Sequence, residues 1–401
     1  MTYKRVYQAL GYCVLGVLVV NLHQVVFAVK QDLTLTEYIQ EAFDRCVGEG
    51  LTRDCIARFA TEVLQQASLV QALTALENVE KNGSDMPIAY LQCHHLTHYL
   101  AQTAYRQGAT VDEIYQQCTP VCGGGCYHGA LEAYFSENYP PNVYQDENVL
   151  VGAANRVCGD LDSYDLPGLY IQCIHGLGHG LMYATDNEVP QALQVCDKLG
   201  PFADKRVCYN AVFMEDILGA AGYSVHPSKY IGQTNDPFGM CESYDERYRS
   251  SCYTSITFYK DLFSPFDQAG VVGVCEQVPE EYQRACFFNY GAIKALRTLN
   301  SSKIKFGCDY VKDAGYRNEC VKGALQGLTS RYGSITAPAV EFCSVVRSEN
   351  KESCWSQLGN SLSIWSKGKT DALVFCDSLP NVEEQDWCKA GVEDGYKIPV
   401  I

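Results

Sequence analysis

The sequence predicts an all-α protein: tandem helical hairpins with a period of about 34 residues, arranged as an α-solenoid or curved helical array and clipped by intra-repeat disulfides. Three observations support this fold class. Cysteines recur in pairs at a fixed step, small and apolar residues follow each pair at helical spacing, and polar residues that favour turns lie between the two cysteines. Together they define a unit of two antiparallel helices.

The cysteine pairs show the period most directly. In the C-terminal half the two members of a pair stand eleven or twelve residues apart, and the second members fall at 252, 286, 320, 354 and 388, a step of 34 each time. Such a period is typical of a helix–turn–helix repeat. The predicted pairs are Cys46–Cys55, Cys158–Cys173, Cys196–Cys208, Cys241–Cys252, Cys275–Cys286, Cys308–Cys320, Cys343–Cys354 and Cys376–Cys388.

The residues around each pair predict where the helices lie. Apolar and small residues recur at three- and four-residue spacing over 320–328, which indicates a helix. Between the cysteines stand polar segments such as Pro279-Glu280-Glu281. We therefore expect the first cysteine near the end of one helix and the second at the start of the next. Each disulfide should stabilise its hairpin by roughly 2–4 kcal/mol.

Four further cysteines lie close together: Cys93, Cys118, Cys122 and Cys126. Four cysteines allow three connectivities, and their spacing does not select one of them. We favour Cys118–Cys126 with Cys93–Cys122, and leave the other two pairings open.

The N-terminus has the layout of a secretory signal peptide. Lys4 and Arg5 precede an apolar run from about residue 9 to 22, and Val26-Phe27-Ala28 is a plausible cleavage site. We predict three segments: a signal peptide at 1–28, helical repeats that carry a histidine cluster at 29–230, and histidine-free repeats at 231–401. The alternative is that the first segment is retained as a membrane anchor.

Cysteine usage and charge limit the compartment and the partners. Of 21 cysteines, removal of Cys13 with the signal peptide leaves 20, an even number that suits an oxidising compartment, so we predict a secreted or periplasmic protein. The formal charge is −16, and loss of Lys4 and Arg5 makes it −18. This charge argues against nucleic-acid binding. We expect a protein, peptide or small-molecule ligand and no membrane insertion of the mature chain.

The histidines are concentrated in one region. Six of the seven in the mature chain fall between residues 93 and 179, each shortly after a cysteine. Side chains four residues apart share one helical face, which is the geometry of helix-borne metal ligands. Three such pairs predict a metal site: His94 with His98, His128 with Glu132, and His175 with His179. His95 matches His175 in its distance from the cysteine, so the register of the first pair is open by one residue.

The later repeats serve as an internal control. Two residues after their second cysteine stand Thr254, Phe288, Lys322, Ser356 and Ala390, and six residues after it stand Phe258, Ala292, Gln326, Asn360 and Asp394. The repeat therefore does not require histidine at these positions. This favours metal binding over the alternative, in which each histidine only packs between helices.

The fourth unit and the glycines add secondary expectations. Asn210 stands where the preceding units have histidine, and with Met214 it is expected to form part of the wall of the site. Glu215 could belong to the same wall or support a ligand, but we favour a surface acid at this position, and His226 is expected to lie in a loop without a role. Gly176, Gly178 and Gly180 predict close approach to a neighbouring helix or a ligand. The run 123–125 is expected to be a flexible turn.

Imidazoles with a carboxylate suit zinc, copper or non-haem iron, and zinc is the first expectation. The metalloenzyme hypothesis is that the site activates water or dioxygen, with Glu132 as ligand or general base. The motifs HExxH and GxSxG are absent. The alternative hypothesis is a non-catalytic protein- or peptide-binding solenoid with a structural or storage metal site, a pH-responsive histidine patch, or no metal.

Overall fold

The computed structural model describes residues 34–49, 52–82, 87–141, 146–159, 165, 167–200, 205–221, 226–231, 238–263, 268–331, 333–335 and 337–397. The predicted signal peptide at 1–28 lies outside these residues. The helices are α1 (Leu35–Gly48), α2 (Arg53–Leu64), α3 (Leu69–Asn82), α4 (Pro87–Arg106), α5 (Val111–Gln117), α6 (Gly125–Asn138), α7 (Glu147–Cys158), α8 (Pro167–Ala184), α9 (Val189–Asp197), α10 (Lys205–Ala220), α11 (Gly239–Glu242), α12 (Glu246–Phe263), α13 (Gln268–Gln277), α14 (Glu280–Arg297), α15 (Ser301–Asp309), α16 (Ala314–Ser330), α17 (Ala337–Val345), α18 (Lys351–Trp365), α19 (Lys369–Asp377) and α20 (Val382–Lys397).

The helices form two layers. Each even-numbered helix packs against the next even-numbered one along the whole chain, from α2 to α20, and these helices make the inner layer. The odd-numbered helices cover them, with contacts such as α1 with α3, α7 with α9 and α15 with α17. The predicted all-α array of hairpins is confirmed for the described residues. None of the described helices has both the length and the apolar content needed to cross a bilayer.

The inner helices reproduce the spacing of the cysteines. Helices α12, α14, α16 and α20 begin at 246, 280, 314 and 382, which is consistent with a step of 34. The second cysteine of a pair lies several residues inside its helix rather than at the start, because the helix already begins at a capping residue. In α16 the side chain of Asp313 caps the helix by accepting a hydrogen bond from the Tyr316 amide.

Except at α3, a disulfide joins each outer helix, or the residue that directly follows it, to the next inner helix. The eight pairs predicted from spacing are all formed, together with Cys93–Cys122 and Cys118–Cys126, the favoured pairing of the remaining four. Ten disulfides among the described residues indicate a protein suited to an oxidising environment. Helix α3 contains no cysteine, so Cys93 of α4 bonds instead to the turn that precedes α6.

The array winds back onto itself. Helix α4 contacts α14, and α8 contacts α18, and in both cases the partners are five inner helices apart. The inner layer therefore completes a turn in about five hairpins. Gly168 of α8 faces the ring of Trp365 in α18 so closely that a Cβ would collide with it. This winding encloses a cavity along the axis of the array.

The core is continuous across the division predicted at residue 230. One cluster of buried apolar side chains extends from Leu131 to Val392, and a second extends from Ile39 to Ala130. The assignment of separate N- and C-terminal segments stays a prediction.

Facing glycines set the distance between inner helices, and alanine substitution should test this. A Cβ at Gly323 of α16 would collide with the main-chain oxygen of Phe288 in α14. We expect Gly323→Ala to destabilise the protein by about 1–3 kcal/mol. In the matched control, Gly152→Ala in α7, the Cβ has nothing within 4 Å, and helix propensity should stabilise by about 0.4–1 kcal/mol. Guanidinium unfolding without reductant measures both, and equal effects would contradict the packing argument.

Candidate metal centre

Three consecutive inner helices, α4, α6 and α8, bring the predicted histidines together. Their backbones approach closely at glycines: a Cβ at Gly129 would collide with the main chain of His98, and a Cβ at Gly176 would crowd the main chain of α6. Gly178 and Gly180 face neighbouring helices in the same way. The close approach predicted for the glycines of α8 is thus an approach between helices.

His94 and His98 form the first imidazole pair. Their Nε2 atoms are 3.0 Å apart, and the two residues are 5% and 3% exposed. His94 Nδ1 is 2.7 Å from the main-chain oxygen of Cys122, and His98 Nδ1 is 2.8 Å from Oε1 of Glu132. Gln102 donates a hydrogen bond of 2.6 Å to the other oxygen of Glu132. The Nδ1 atoms, the outer nitrogens of the pair, thus contact hydrogen-bond acceptors. The Nε2 atoms, the inner nitrogens, face each other.

His175 and His179 form a second pair with the same arrangement. Their Nε2 atoms are 3.3 Å apart. His179 Nδ1 is 2.7 Å from Oε2 of Glu215 in α10, and His175 hydrogen bonds to the main chain of Val207. A partner outside the pair therefore orients each ring, as is common for metal-binding histidines.

His128 lies between the two pairs. The centre of its ring is 5.2 Å from that of His94 and 4.8 Å from that of His175. Its Nε2 is 2.8 Å from Oε1 of Gln172, and its buried Nδ1 has no hydrogen-bond partner among the described residues. A buried nitrogen without a partner lowers the stability of the folded protein unless a hydrogen-bond donor or a cation binds to it.

The hydrogen bonds indicate which ring nitrogens carry protons. A main-chain oxygen only accepts, so the partners of His94 and His175 require a proton on the nitrogen that faces them and leave a lone pair on the other nitrogen. The same holds for His98 and His179 when their carboxylate partners are ionised. Each pair then places two lone pairs 3.0 or 3.3 Å apart. Such lone pairs repel each other unless a cation or a proton lies between them.

The separations match ligation of one ion by each pair. Nitrogens at about 2.0–2.1 Å from one ion are about 2.9 Å apart at a right angle and about 3.4 Å apart at the tetrahedral angle. The observed 3.0 and 3.3 Å lie within this range. In each of three groups of residues, the ligand atoms all lie within 4.8 Å of one another. These groups are His94, His98 and His128; His128, His175 and His179; and Glu132, His179 and Glu215. Buried His and Glu groups that could hold a metal ion are thus present.

Burial sets the protonation of the cluster. Desolvation lowers the pKa of His94 to about 4. It also lowers the pKa values of His98, His128 and His175 well below the ordinary value of a histidine. Neutral imidazole, the form that binds metals, is therefore the stable form of His94, His98, His128 and His175 at neutral pH. At His179 burial also lowers the pKa, but the hydrogen bond and charge of Glu215 outweigh burial and raise it.

The cluster forms one wall of the axial cavity, which has a volume of about 350 Å³. His94, His128 and His175 line it, whereas His98 and His179 are absent from the lining and lie behind them. The positions two and six residues after the repeat cysteine face this cavity in several units. On α10, α12, α14 and α16 they supply Asn210, Met214, Thr254, Phe258, Phe288, Ala292 and Gln326.

The structure corrects one secondary expectation and locates the others. The prediction of Glu215 as a surface acid was wrong: it is 2% exposed and holds His179. Its place within an apolar run of α10 was a signal that it is buried. The turn predicted at 123–125 lies at a 3₁₀ turn, Val121–Gly124, that leads directly into α6 and positions the Cys122 carbonyl, and its flexibility stays a prediction. Asn210 and Met214 do line the cavity, as expected.

The structure also locates His95 and His226, the two remaining histidines of the described residues. His95 is buried beside the cluster, its ring centre 6.0 Å from that of His98, and it is not in the groups of ligand atoms described above. His94, rather than His95, therefore lies within 4.8 Å of the ligand atoms of His98 and His128. His226 lies outside the cluster, with its Nδ1 2.7 Å from Asp186.

Fold and site together define a disulfide-rich, all-helical repeat protein with buried His and Glu groups able to hold a metal ion. No family model, no curated protein and no solved structure matches the chain.

Glu215 provides a test of how the second pair is oriented. Glu215→Gln keeps an acceptor near His179 but removes the charge, and loss of such an orienting carboxylate typically lowers metal affinity by about 10–100-fold. We expect a loss of this size in zinc titrations with a competing chelator. The matched control, Glu188→Gln, alters a carboxylate that is 44% exposed and bound to Lys229, and should leave the affinity unchanged. Equal affinities in all three proteins would show that Glu215 does not support a metal ligand.

Proposed function

We propose that this protein is an exported metalloprotein in which the clustered histidines bind one or two metal ions at the wall of the axial cavity. The observation that carries the proposal is the distance between the inner Nε2 atoms of each histidine pair, 3.0 Å in the first pair and 3.3 Å in the second. The other nitrogen of each ring contacts a hydrogen-bond acceptor. A cation between the inner nitrogens of each pair relieves their repulsion and uses the lone pairs of all four paired imidazoles. Export is supported by the N-terminal pattern and by the number of disulfides.

The ligands proposed for the two subsites are His94 with His98, and His175 with His179, and His128 lies within reach of both. Zinc is the first expectation, since it binds imidazole and carboxylate, and copper and iron are the alternatives. Bound metal would supply activation of water or of dioxygen. Because His94, His128 and His175 line the cavity, a molecule inside it can reach the metal, which supports a catalytic role over a closed structural site.

Glu132 was predicted as a ligand or general base. Both of its oxygens are engaged, by His98 and by Gln102, and it is 2% exposed. These contacts favour a role in orienting His98. The catalytic role of Glu132 stays a prediction.

The second candidate function is non-catalytic binding, with the metal as a structural or storage ion. The observation that favours it is the mainly apolar remainder of the cavity wall on α12 and α14. A volume of about 350 Å³ suits a small molecule rather than a folded partner.

Metal content is the deciding measurement. The mature protein, purified without a histidine tag or added metal, is analysed by elemental mass spectrometry. We expect about one or two equivalents of zinc, copper or iron, and the identity of the metal then selects hydrolytic or redox assays. Absence of metal, also after incubation with each ion and desalting, would overturn the proposal and return the histidines to a role in helix packing.

A further inference from the structure

The axial cavity has two unlike walls. The three imidazoles of His94, His128 and His175 occupy one side, on α4, α6 and α8. On α12 and α14 the lining is mainly aromatic and aliphatic: Phe258, Phe288, Ala292, Ile293 and Leu296. A molecule that fills the cavity therefore touches imidazoles at one end and hydrocarbon at the other.

No charged side chain of Asp, Glu, Lys or Arg is among the described residues that line the cavity. The chain as a whole carries 47 acidic and 31 basic residues, so their exclusion from the lining is a specific property of this surface. A permanently charged molecule would lose its hydration here without gaining a counter-charge from an Asp, Glu, Lys or Arg side chain of the lining. An uncharged molecule loses much less.

The mainly apolar wall also contains three polar side chains, Thr254, Ser255 and Asn289, and the hydroxyls of the first two donate to main-chain oxygens of their own helix. Asn289 of α14 lines the cavity, and its amide nitrogen donates to the main-chain oxygen of Thr254 at 2.9 Å and to Oγ1 of Thr257 at 2.7 Å. These bonds fix the orientation of the amide. The carbonyl oxygen of Asn289 is then available to accept a hydrogen bond from a molecule in the cavity.

We infer that the cavity binds an uncharged, mainly apolar small organic molecule with one metal-ligating polar end that reaches the histidine cluster. The apolar part of this inference is independent of the metal, and the contact with the metal rests on the proposed function. A small molecule is the occupant because about 350 Å³ is near the lower end of the range of known ligand pockets.

The apolar part is tested with the uncharged dye N-phenyl-1-naphthylamine, whose fluorescence rises in apolar surroundings. We expect saturable binding of this dye to the native protein and at least about tenfold weaker binding to the Phe258→Ala/Phe288→Ala variant. The native protein should also bind the anionic dye 8-anilinonaphthalene-1-sulfonate at least about tenfold more weakly than the uncharged dye. The matched control is Phe306→Ala, which removes a phenylalanine that is 59% exposed and outside the cavity lining, and it should bind N-phenyl-1-naphthylamine like the native protein. Absence of dye binding, or equal binding in the double variant, would overturn the inference.

The metal end is tested by displacing N-phenyl-1-naphthylamine with octanohydroxamic acid and with octanamide, which has the same chain but lacks the chelating hydroxyl. In the metal-loaded protein we expect the hydroxamic acid to compete at least about tenfold better, and the difference to vanish after metal removal by a chelator. If the protein contains no metal, the proposed function fails while the dye result still decides the apolar part. If metal is present and the two competitors are equal, the contact between cavity molecule and metal is overturned.

Discussion

Replacing His175 and His179 with alanine is expected to reduce the bound metal by at least half, and to abolish it if the subsites depend on each other through His128. The double variant removes both inner nitrogens of the second pair, which are 3.3 Å apart in the native protein. Two imidazoles supply most of the ligation in that subsite, so its affinity should fall by more than about 100-fold. Elemental mass spectrometry of the purified variant, with zinc titration against a chelator, measures the loss.

Two further variants make this result interpretable. His179→Ala leaves Glu215 buried without its imidazole partner, which is destabilising, so the triple variant with Glu215→Gln separates loss of ligands from loss of fold. His226→Ala is the matched control, because His226 lies outside the cluster and pairs with Asp186. Native metal content in the double and triple variants, with native circular dichroism, would refute the ligand assignment.

Loss of the Cys93–Cys122 disulfide should weaken both stability and metal binding. Cys93 precedes His94 in α4, and the carbonyl of Cys122 accepts the hydrogen bond from His94. Cross-links over loops of this length contribute about 3–4 kcal/mol to stability. In Cys93→Ser/Cys122→Ser we expect a loss of that order in guanidinium unfolding, together with an affinity for zinc lowered by about 10–100-fold.

The matched control for this prediction lies at the other end of the chain. Cys376→Ser/Cys388→Ser removes a disulfide between α19 and α20, and neither helix contributes to the cluster or to the cavity lining. It should reduce stability by about 3 kcal/mol and leave zinc affinity unchanged. If both variants lower the affinity equally, the effect is one of global stability rather than of the position of His94.

Much of the architecture could be predicted from local sequence. The step of 34 between cysteines, the turn residues inside each pair and the helical spacing after it are properties of short segments, and they predict hairpins and disulfides without knowledge of the fold. The histidines could be singled out for the same reason: Cys126 and Cys173 are each followed by ligand-type side chains two and six residues later. Residues four apart on a helix share a face in any tertiary context.

The orientation of the ligands could not be read from these segments. The sequence pairs His128 with Glu132 on one helix, but in the structure Glu132 binds His98 of α4, and His128 meets Gln172 of α8. Glu215 belongs to the site although its own unit has lost the histidine. Each of these contacts joins different helices, so it depends on how closely and at what angle the helices pack.

The sequence by itself determined the repeating unit, its cross-links and the set of ligand-type side chains, because these follow from periodicity along one chain. Only the tertiary structure decided that the array turns back on itself after about five hairpins, since this depends on contacts between α4 and α14 and between α8 and α18. That turn places the histidine-free helices opposite the histidines across one cavity. The small rotation between successive hairpins accumulates over the array, and no single repeat reveals it.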